Sequence, residues 1–548
     1  MNDIPRAVSK KEFRAVWVAT VRNLDIPVAR TESDFENSFS AILDALEDRN
    51  MNAVIFQVRP ALDAFYPSRI NPWSEFLTGK QGESVLGGWD PLALMIAAAH
   101  KRGLEYHAWL NPYRVTCLGY TADTFQGLGL EPPDNMPVPE LVRLYAEKGL
   151  LAPNNFAVLH PRMVYRHNRL LYLDAGFPEV RRHVVETVEE IIQKYDVDAV
   201  HFDDYFYPYD VPVGAMIDKT ETAFELHGAG FPDNDEGWGN WLRHNNDEAV
   251  RGVCKAVRAE NAKSGRAVQF GISPFGIWWN RANHLDGSST GDTGFTFTGG
   301  VYADTRKWVL EEWVDYIAPQ LYWEFDHPTA PYAELVRWWA NLCDGKNVHL
   351  YIGHGNYKHA TAPFRDLAAW RDSREIPNQL IYNAGFAQVN GGVFFAFNHI
   401  NNTDASGPDN RVLVDSSRLL REHWRKHMPV VPAKPWLLPK APAAPRNATR
   451  HGDTVTWEDN DENNARYYAV YRVAAAGEGN EDARRAIRDP SGIVARVWRE
   501  GRRNSFTDAN AKSPERFTYI VTAFNAAHVE SSPAVASVAK PEADCERS

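Results

Sequence analysis

Cysteine is scarce in this chain: Cys117, Cys254, Cys343 and Cys545 are the only four in 548 residues, and no two form a CxxC pair. That excludes a disulfide framework and a structural zinc site, both of which need grouped sulfur ligands. No run of 18 apolar residues occurs, so no membrane-spanning helix is expected. Clustered positive charge is also missing. The net charge is −12, with acids and bases interspersed, which speaks against nucleic acid or an anionic membrane as a partner. The first strand-like run is followed by Val21-Arg22-Asn23-Leu24-Asp25 rather than a Gly-rich phosphate turn, which argues against an open doubly wound sheet. That run starts about a dozen residues after Met1, so no signal peptide is visible.

The 44% hydrophobic content is that of a globular protein, and the length allows a large core plus a smaller module. Eighteen Trp and 22 Tyr are present. Most are expected in the core, and the remainder suit flat, partly polar platforms in a cleft.

Strand-like runs followed by helical periodicity recur eight times, at 13–20, 53–60, 104–112, 199–206, 268–276, 316–323, 348–357 and 392–400. This spacing predicts a (β/α)8 barrel over residues 11–428. Long insertions at 115–172, 207–239 and 280–300 follow the third, fourth and fifth strands, on the face where barrel enzymes carry their chemistry. The segment 429–445 holds six prolines and reads as a semi-rigid linker crossed by few contacts. Beyond it, 446–540 shows short alternating strands, the pattern of a β-sandwich.

Side chains alternate along a strand, so parity predicts which of them face the lumen. In Val200-His201-Phe202-Asp203-Asp204-Tyr205, His201 and Asp203 share the inward face. Asp204 joins them only if the strand has ended before it. The same rule turns Gln57 and Arg59, His107, Trp109 and Asn111, and Gln320, Tyr322 and Glu324 inward. A barrel built for stability alone would put branched aliphatics there.

Carboxylates in an aromatic-rich barrel mouth point to glycoside hydrolysis, which needs an acid at the leaving oxygen and a second carboxylate or a substrate group opposite it. Asp203 is the first candidate for acid or nucleophile, and Glu324, Asp326 and Asp63 are candidates for the second carboxylate. Arg59 fits a lumen ion pair or an anionic substrate group, and His107 and His201 could share a proton with a carboxylate. Trp109, Trp278 and Trp323 are candidate sugar platforms, with Trp323 of outward parity unless its strand has ended. His349, His354 and His359 lack metal-ligand spacing, so no metal and no cofactor are expected.

Several segments resemble the glycosyl-hydrolase-like family ten of bacterial barrel proteins. They include Phe13-Arg14-Ala15-Val16-Trp17-Val18-Ala19-Thr20, Phe56-Gln57-Val58-Arg59-Pro60, His107-Ala108-Trp109-Leu110-Asn111-Pro112-Tyr113-Arg114 and Phe202-Asp203-Asp204-Tyr205-Phe206. Gly271-Ile272-Ser273-Pro274-Phe275-Gly276 and Tyr316-Ile317-Ala318-Pro319-Gln320-Leu321-Tyr322-Trp323 extend the likeness. The resemblance implies cleavage of a bacterial polysaccharide, with peptide-free peptidoglycan strands foremost, outside the cytoplasm. It supports Asp203 and Asp204 by position, whereas Glu324 rests on parity alone. Residues 441–540 look like a fibronectin type III module. The rival reading is a glycan-binding or scaffold protein that holds a sugar in the same mouth without cutting it.

Overall fold

The computed structural model of the chain describes residues 9–117, 136–209, 211–291, 294–297, 301–403, 408–460, 464–474 and 480–539. Parts of the first and third insertions, Cys545 and the last residue of the expected sandwich lie outside the described residues. Among the described residues ten strands precede residue 400: β1 (Phe13–Val18), β2 (Ala53–Arg59), β3 (Glu105–Leu110), β4 (Val164–His167), β5 (Leu170–Leu173), β6 (Ala199–Phe202), β7 (Gln269–Ile272), β8 (Tyr316–Ile317), β9 (His349–Gly355) and β10 (Val389–Phe395). Eight of them close a parallel barrel in the order β1-β2-β3-β6-β7-β8-β9-β10, and β4 and β5 form a separate hairpin in the first insertion. The fold is a (β/α)8 barrel, with each expected strand present and most of them shorter than the alternation suggested.

The outer layer follows from local signals. Helix Glu32–Glu47 starts on the Thr31 side chain, which accepts from the Asp34 N–H, and buries Phe35, Phe39, Leu43 and Leu46 against the barrel. Helix Pro91–Lys101 is capped by Asp90 with proline in its first turn. Helix Asp235–Ser264 is capped by Asn234 and stops at Gly265, whose φ of +71° is easy only for glycine. Helices Val138–Glu147 and Val213–His227 within the insertions were not foreseen. No described helix is long and apolar enough to cross a membrane.

Two facing sheets follow. Their strands are β11 (Arg446–His451), β12 (Thr454–Glu458), β13 (Tyr467–Ala474), β14 (Ile493–Trp498), β15 (Arg503–Thr507), β16 (Phe517–Phe524), β17 (Ala534–Val535) and β18 (Ser537–Val538). They are ordered β15-β12-β11-β18 and β14-β13-β16-β17, antiparallel throughout except where the edge strand β18 runs parallel to β11, with Trp457, Tyr468 and Val521 in the core between them.

The expectation of few contacts across 429–445 is not met. Val430 pairs with Lys11 as a bridge, Lys434 is fully buried, and the Trp436 indole donates to Asp315 (3.2 Å). On the sandwich, Arg466 binds Asp198 (3.1 Å), and Trp498 stacks on His100 at 4.2 Å. His528 reaches Glu105 at the start of β3 (2.7 Å). Proline content stiffens a segment but does not stop it from docking. Here the segment lies on the barrel's N-terminal end, and the sandwich closes that end.

Candidate active site

The opposite, C-terminal end opens into a cavity of about 660 Å³. Its floor is built from strand-end residues Trp17, Gln57, Trp109, Asp203, Ser273, Gln320 and Phe395, and loops add Arg22, Arg114, Tyr172, Asp204, Tyr205, Tyr209, Phe275, Tyr322 and Tyr357. Among the described lining residues, Asp203 and Asp204 are the only carboxylates.

β6 ends at Phe202, so both acids lie past the regular strand and both turn to the cavity. The orientation of Asp203 is determined by a chain of side-chain amides. Gln57 Oε1 accepts from the backbone N–H groups of Thr20 and Val21, each at 3.0 Å, which leaves its Nε2 to donate to Asn111 Oδ1 (2.7 Å). Asn111 therefore presents its Nδ2 to Asp203 Oδ2 (2.5 Å), and the Tyr205 N–H donates to Oδ1 (3.1 Å). Asp204 accepts from the Tyr209 hydroxyl. Burial, with the neighbouring Asp204 carboxylate behind it, pushes Asp203 up to about 7 against the pull of Arg114 and these donors. Burial also raises Asp204, opposed by Tyr209 and Gln320. Two like charges side by side cannot both ionise freely, so the pair retains a proton near neutral pH. Burial works against the charge of Arg114, but Cys117, Asp203 and Tyr205 outweigh it and keep the guanidinium protonated. That guanidinium stacks 4.1 Å over the half-exposed Tyr205 ring.

The structure brings Trp109, Tyr205, Gln320 and Tyr322 to the cavity with the two acids, and Asn111 stands directly behind Asp203. His107 and His201 point into the lumen, as parity required, but lie in its buried interior with no exposed surface. Arg59 is a correction. The β2–β3 register shifts between Gln57 and Arg59, and the buried guanidinium donates to the Asn111 carbonyl and lies 3.5 Å from His183 Nε2 on helix Pro178–Lys194. It ties strand to helix and does not line the cavity.

Glu324 is another. β8 stops at Ile317, parity does not extend to residue 324, and the carboxylate accepts from the Trp370 indole (2.9 Å) outside the cavity. Neither remaining second-carboxylate candidate lines the cavity: Asp326 is exposed, and Asp63 is buried, accepts from the Ala61 N–H (3.2 Å) and is pushed up to about 6 by burial.

Trp278 and Trp323 also stand outside the cavity. Trp278 donates to Asp304 (2.9 Å), and Trp323 packs edge-on against Phe275. Alanine at Trp278 or Trp323 is expected to cost about 3–5 kcal/mol in denaturant unfolding with KM unchanged, whereas Trp109→Ala should raise KM. Sequence reasoning missed Trp17, Arg114, Ser273 and Tyr209. Parity on β1 and β7 would have found Trp17 and Ser273; nothing local marks Tyr209. Among the described residues no group of three or more His, Cys, Asp and Glu could hold a metal ion.

A closed parallel barrel with paired, proton-retaining carboxylates in an aromatic mouth has the architecture of glycoside-hydrolase barrels. The comparisons sharpen this. Residues 12–372 match the glycosyl hydrolase-like 10 family model, and the chain belongs to that family. It is 34% identical over 538 residues to "Glycosyl hydrolase YngK" of Bacillus subtilis (strain 168), covering 96% of this chain and 93% of that one. It is 34% identical over 405 residues to "Glycosyl hydrolase DigH" of Escherichia coli (strain K12), covering 72% and 84%. Among solved structures, the catalytic domain of β-amylase from Paenibacillus polymyxa aligns over 76% of this chain and 99% of that one, at 12% identity and a TM-score of 0.43, too distant to bear on chemistry.

Proposed function

We propose that the protein is a glycoside hydrolase that cleaves an amino-sugar-containing bacterial polysaccharide, with peptide-free peptidoglycan strands as the leading substrate, outside the cytoplasm. The observation that carries this reading is the Asp203–Asp204 pair, raised by burial and set among aromatic rings in one cavity. Asp203 donates the shared proton to the glycosidic oxygen as the C–O bond breaks, and Asp204 remains as the charged partner beside it. With Glu324 and Asp326 outside the cavity, the group that attacks the anomeric carbon is the substrate's own 2-acetamido oxygen, and water then opens the cyclic intermediate and restores the proton. The sandwich is read as fibronectin type III-like, supported by its two facing, mainly antiparallel four-stranded sheets.

Incubation with purified glycan strands and a panel of capsular and exopolysaccharides, followed by assay of new reducing ends, tests the reading. Cleavage of N-acetylated strands is expected, with the rate falling on de-N-acetylated ones. Binding without new reducing ends on any of them would favour the glycan-binding rival. Equal rates on both forms would remove the acetamido group from the mechanism.

A further inference from the structure

A continuous column of buried polar side chains fills the barrel axis beneath the cavity. At its upper end the Trp17 indole donates to His201 Nε2 (3.1 Å), and the Ser273 hydroxyl lies 2.9 Å from the same nitrogen. His201 Nδ1 meets the Tyr316 hydroxyl (3.0 Å), which meets His107 Nδ1 (2.9 Å). His107 Nε2 reaches Glu105 Oε2 (3.2 Å), and His528 of the sandwich reaches Glu105 Oε1 (2.7 Å). His107, His201 and Tyr316 have no exposed surface, and Glu105 and His528 are each 2% exposed.

The two ends of the column dictate its polarity. An indole N–H can only donate, so His201 Nε2 must accept, and the proton of the neutral ring sits on Nδ1. Burial, with His107 nearby, holds His201 well below its ordinary range, so the neutral form is the resident one. His201 then donates to Tyr316, Tyr316 donates to His107 Nδ1, and His107 donates from Nε2 to the carboxylate. Burial alone would raise Glu105, but His528 and His107 hold it well below the usual carboxylate range, so it is ionised and accepts. From Trp17 to Glu105 each donor faces one acceptor, and the Ser273 hydroxyl, which finds Nε2 taken by the indole, turns its proton to the Phe202 carbonyl (3.4 Å). Buried networks satisfied in this way are rigid, and partly satisfied ones are not. The residue that secures the lower end comes from a turn with backbone strain: His528 has φ +59°, a conformation that non-glycine residues adopt mostly where the surrounding structure requires it.

We propose that the sandwich is a working part of the barrel site. His528 is a positioning residue that acts through Glu105, His107, Tyr316 and His201 to hold Trp17 and Ser273 in the cavity floor. The consequence for turnover rests on the glycosidase reading, but the column itself is testable without substrate.

The experiment uses the full chain labelled with 15N-histidine, in which two-bond proton–nitrogen spectra report which ring nitrogen carries the proton. The wild type should show His201 with a bare Nε2 and His107 with a bare Nδ1. Tyr316→Phe should leave both tautomers in place, because the Trp17 indole and Glu105 still dictate them, and shift the His107 Nδ1 resonance, whose donor is lost. His528→Leu should shift the Trp17 indole resonance and lower kcat/KM on glycan strands roughly 2- to 30-fold, the span of couplings carried through such networks. His528→Gln, which can still donate to Glu105, should restore both. A wild-type His201 that carries its proton on Nε2 overturns the proposal whether or not any variant folds. So does a folded His528→Leu protein with an unchanged Trp17 resonance. A protein with the expected tautomers and Trp17 shifts but no cleavage of any glycan would instead count against the glycosidase reading alone.

Discussion

Asp203→Asn should lower turnover of the cleaved glycan by about 10²–10⁴-fold, the usual worth of a positioned general acid, without unfolding the protein. Asparagine keeps the size of the side chain and its contact with Asn111, but it cannot carry the proton. The wild-type pH profile follows from the same group. With Asp203 pushed up to about 7, kcat/KM should fall as pH rises through that value, because the shared proton is lost, and the variant should lack this limb. Stability should fall over the same range. A carboxyl group whose folded pKa lies above its unfolded one contributes stability at low pH that is lost as pH rises through the folded value. Above about pH 7, therefore, Asp203→Asn should melt no lower than the wild type. Asp204→Asn should also slow cleavage. If both variants cut near the wild-type rate, the acid does not lie at the end of β6.

A chain cut after His427 should fail to give a stable soluble barrel. The cut removes His528 from Glu105 and Arg466 from Asp198, and it strips Trp498 from His100. It also opens the lumen floor, where Phe13 stacks on Tyr351 at 4.1 Å, to water. Breaking one buried ion pair costs about 3–5 kcal/mol when the other partner stays buried, a large share of the roughly 5–15 kcal/mol that holds a typical fold together. Insoluble protein, or a melt far below that of the full chain, is the expected outcome. A truncated barrel that melts cooperatively and cleaves at the full rate would show the sandwich to be an appendage.

Alternation of side chains carried much of this architecture in the sequence. The eight barrel strands were legible, and parity turned Gln57, His107, Trp109, Asn111, His201 and Gln320 to the side on which the structure has them. It failed where the backbone stops being regular. The shift after Gln57 re-aimed Arg59, and β8 ended seven residues before Glu324. At Asp204 the early end of β6 worked in favour of the site, because it let a second acid face the cavity. Trp278 and Trp323 carry the same residue type as Trp109, and only tertiary packing separates a cavity-lining ring from a core ring. The proline-rich segment misled for a related reason: composition reports local stiffness and is silent about what Lys434 and Trp436 will dock against.

The closure of the barrel floor by His528 bears on how such proteins recombine. Modular enzymes are commonly treated as strings of exchangeable units, in which a catalytic body can be fused to whatever module suits a new setting. This chain could not be reassembled so freely. A graft sharing the sandwich fold but lacking a donor at the position of His528 would supply a neighbour of the right shape and strip Glu105 Oε1 of one of its two donors, leaving it only the Gln269 amide. Fusions that preserve the appended fold should therefore sort by the chemistry of that one turn, and inheritance of the barrel would carry its companion along as a single unit.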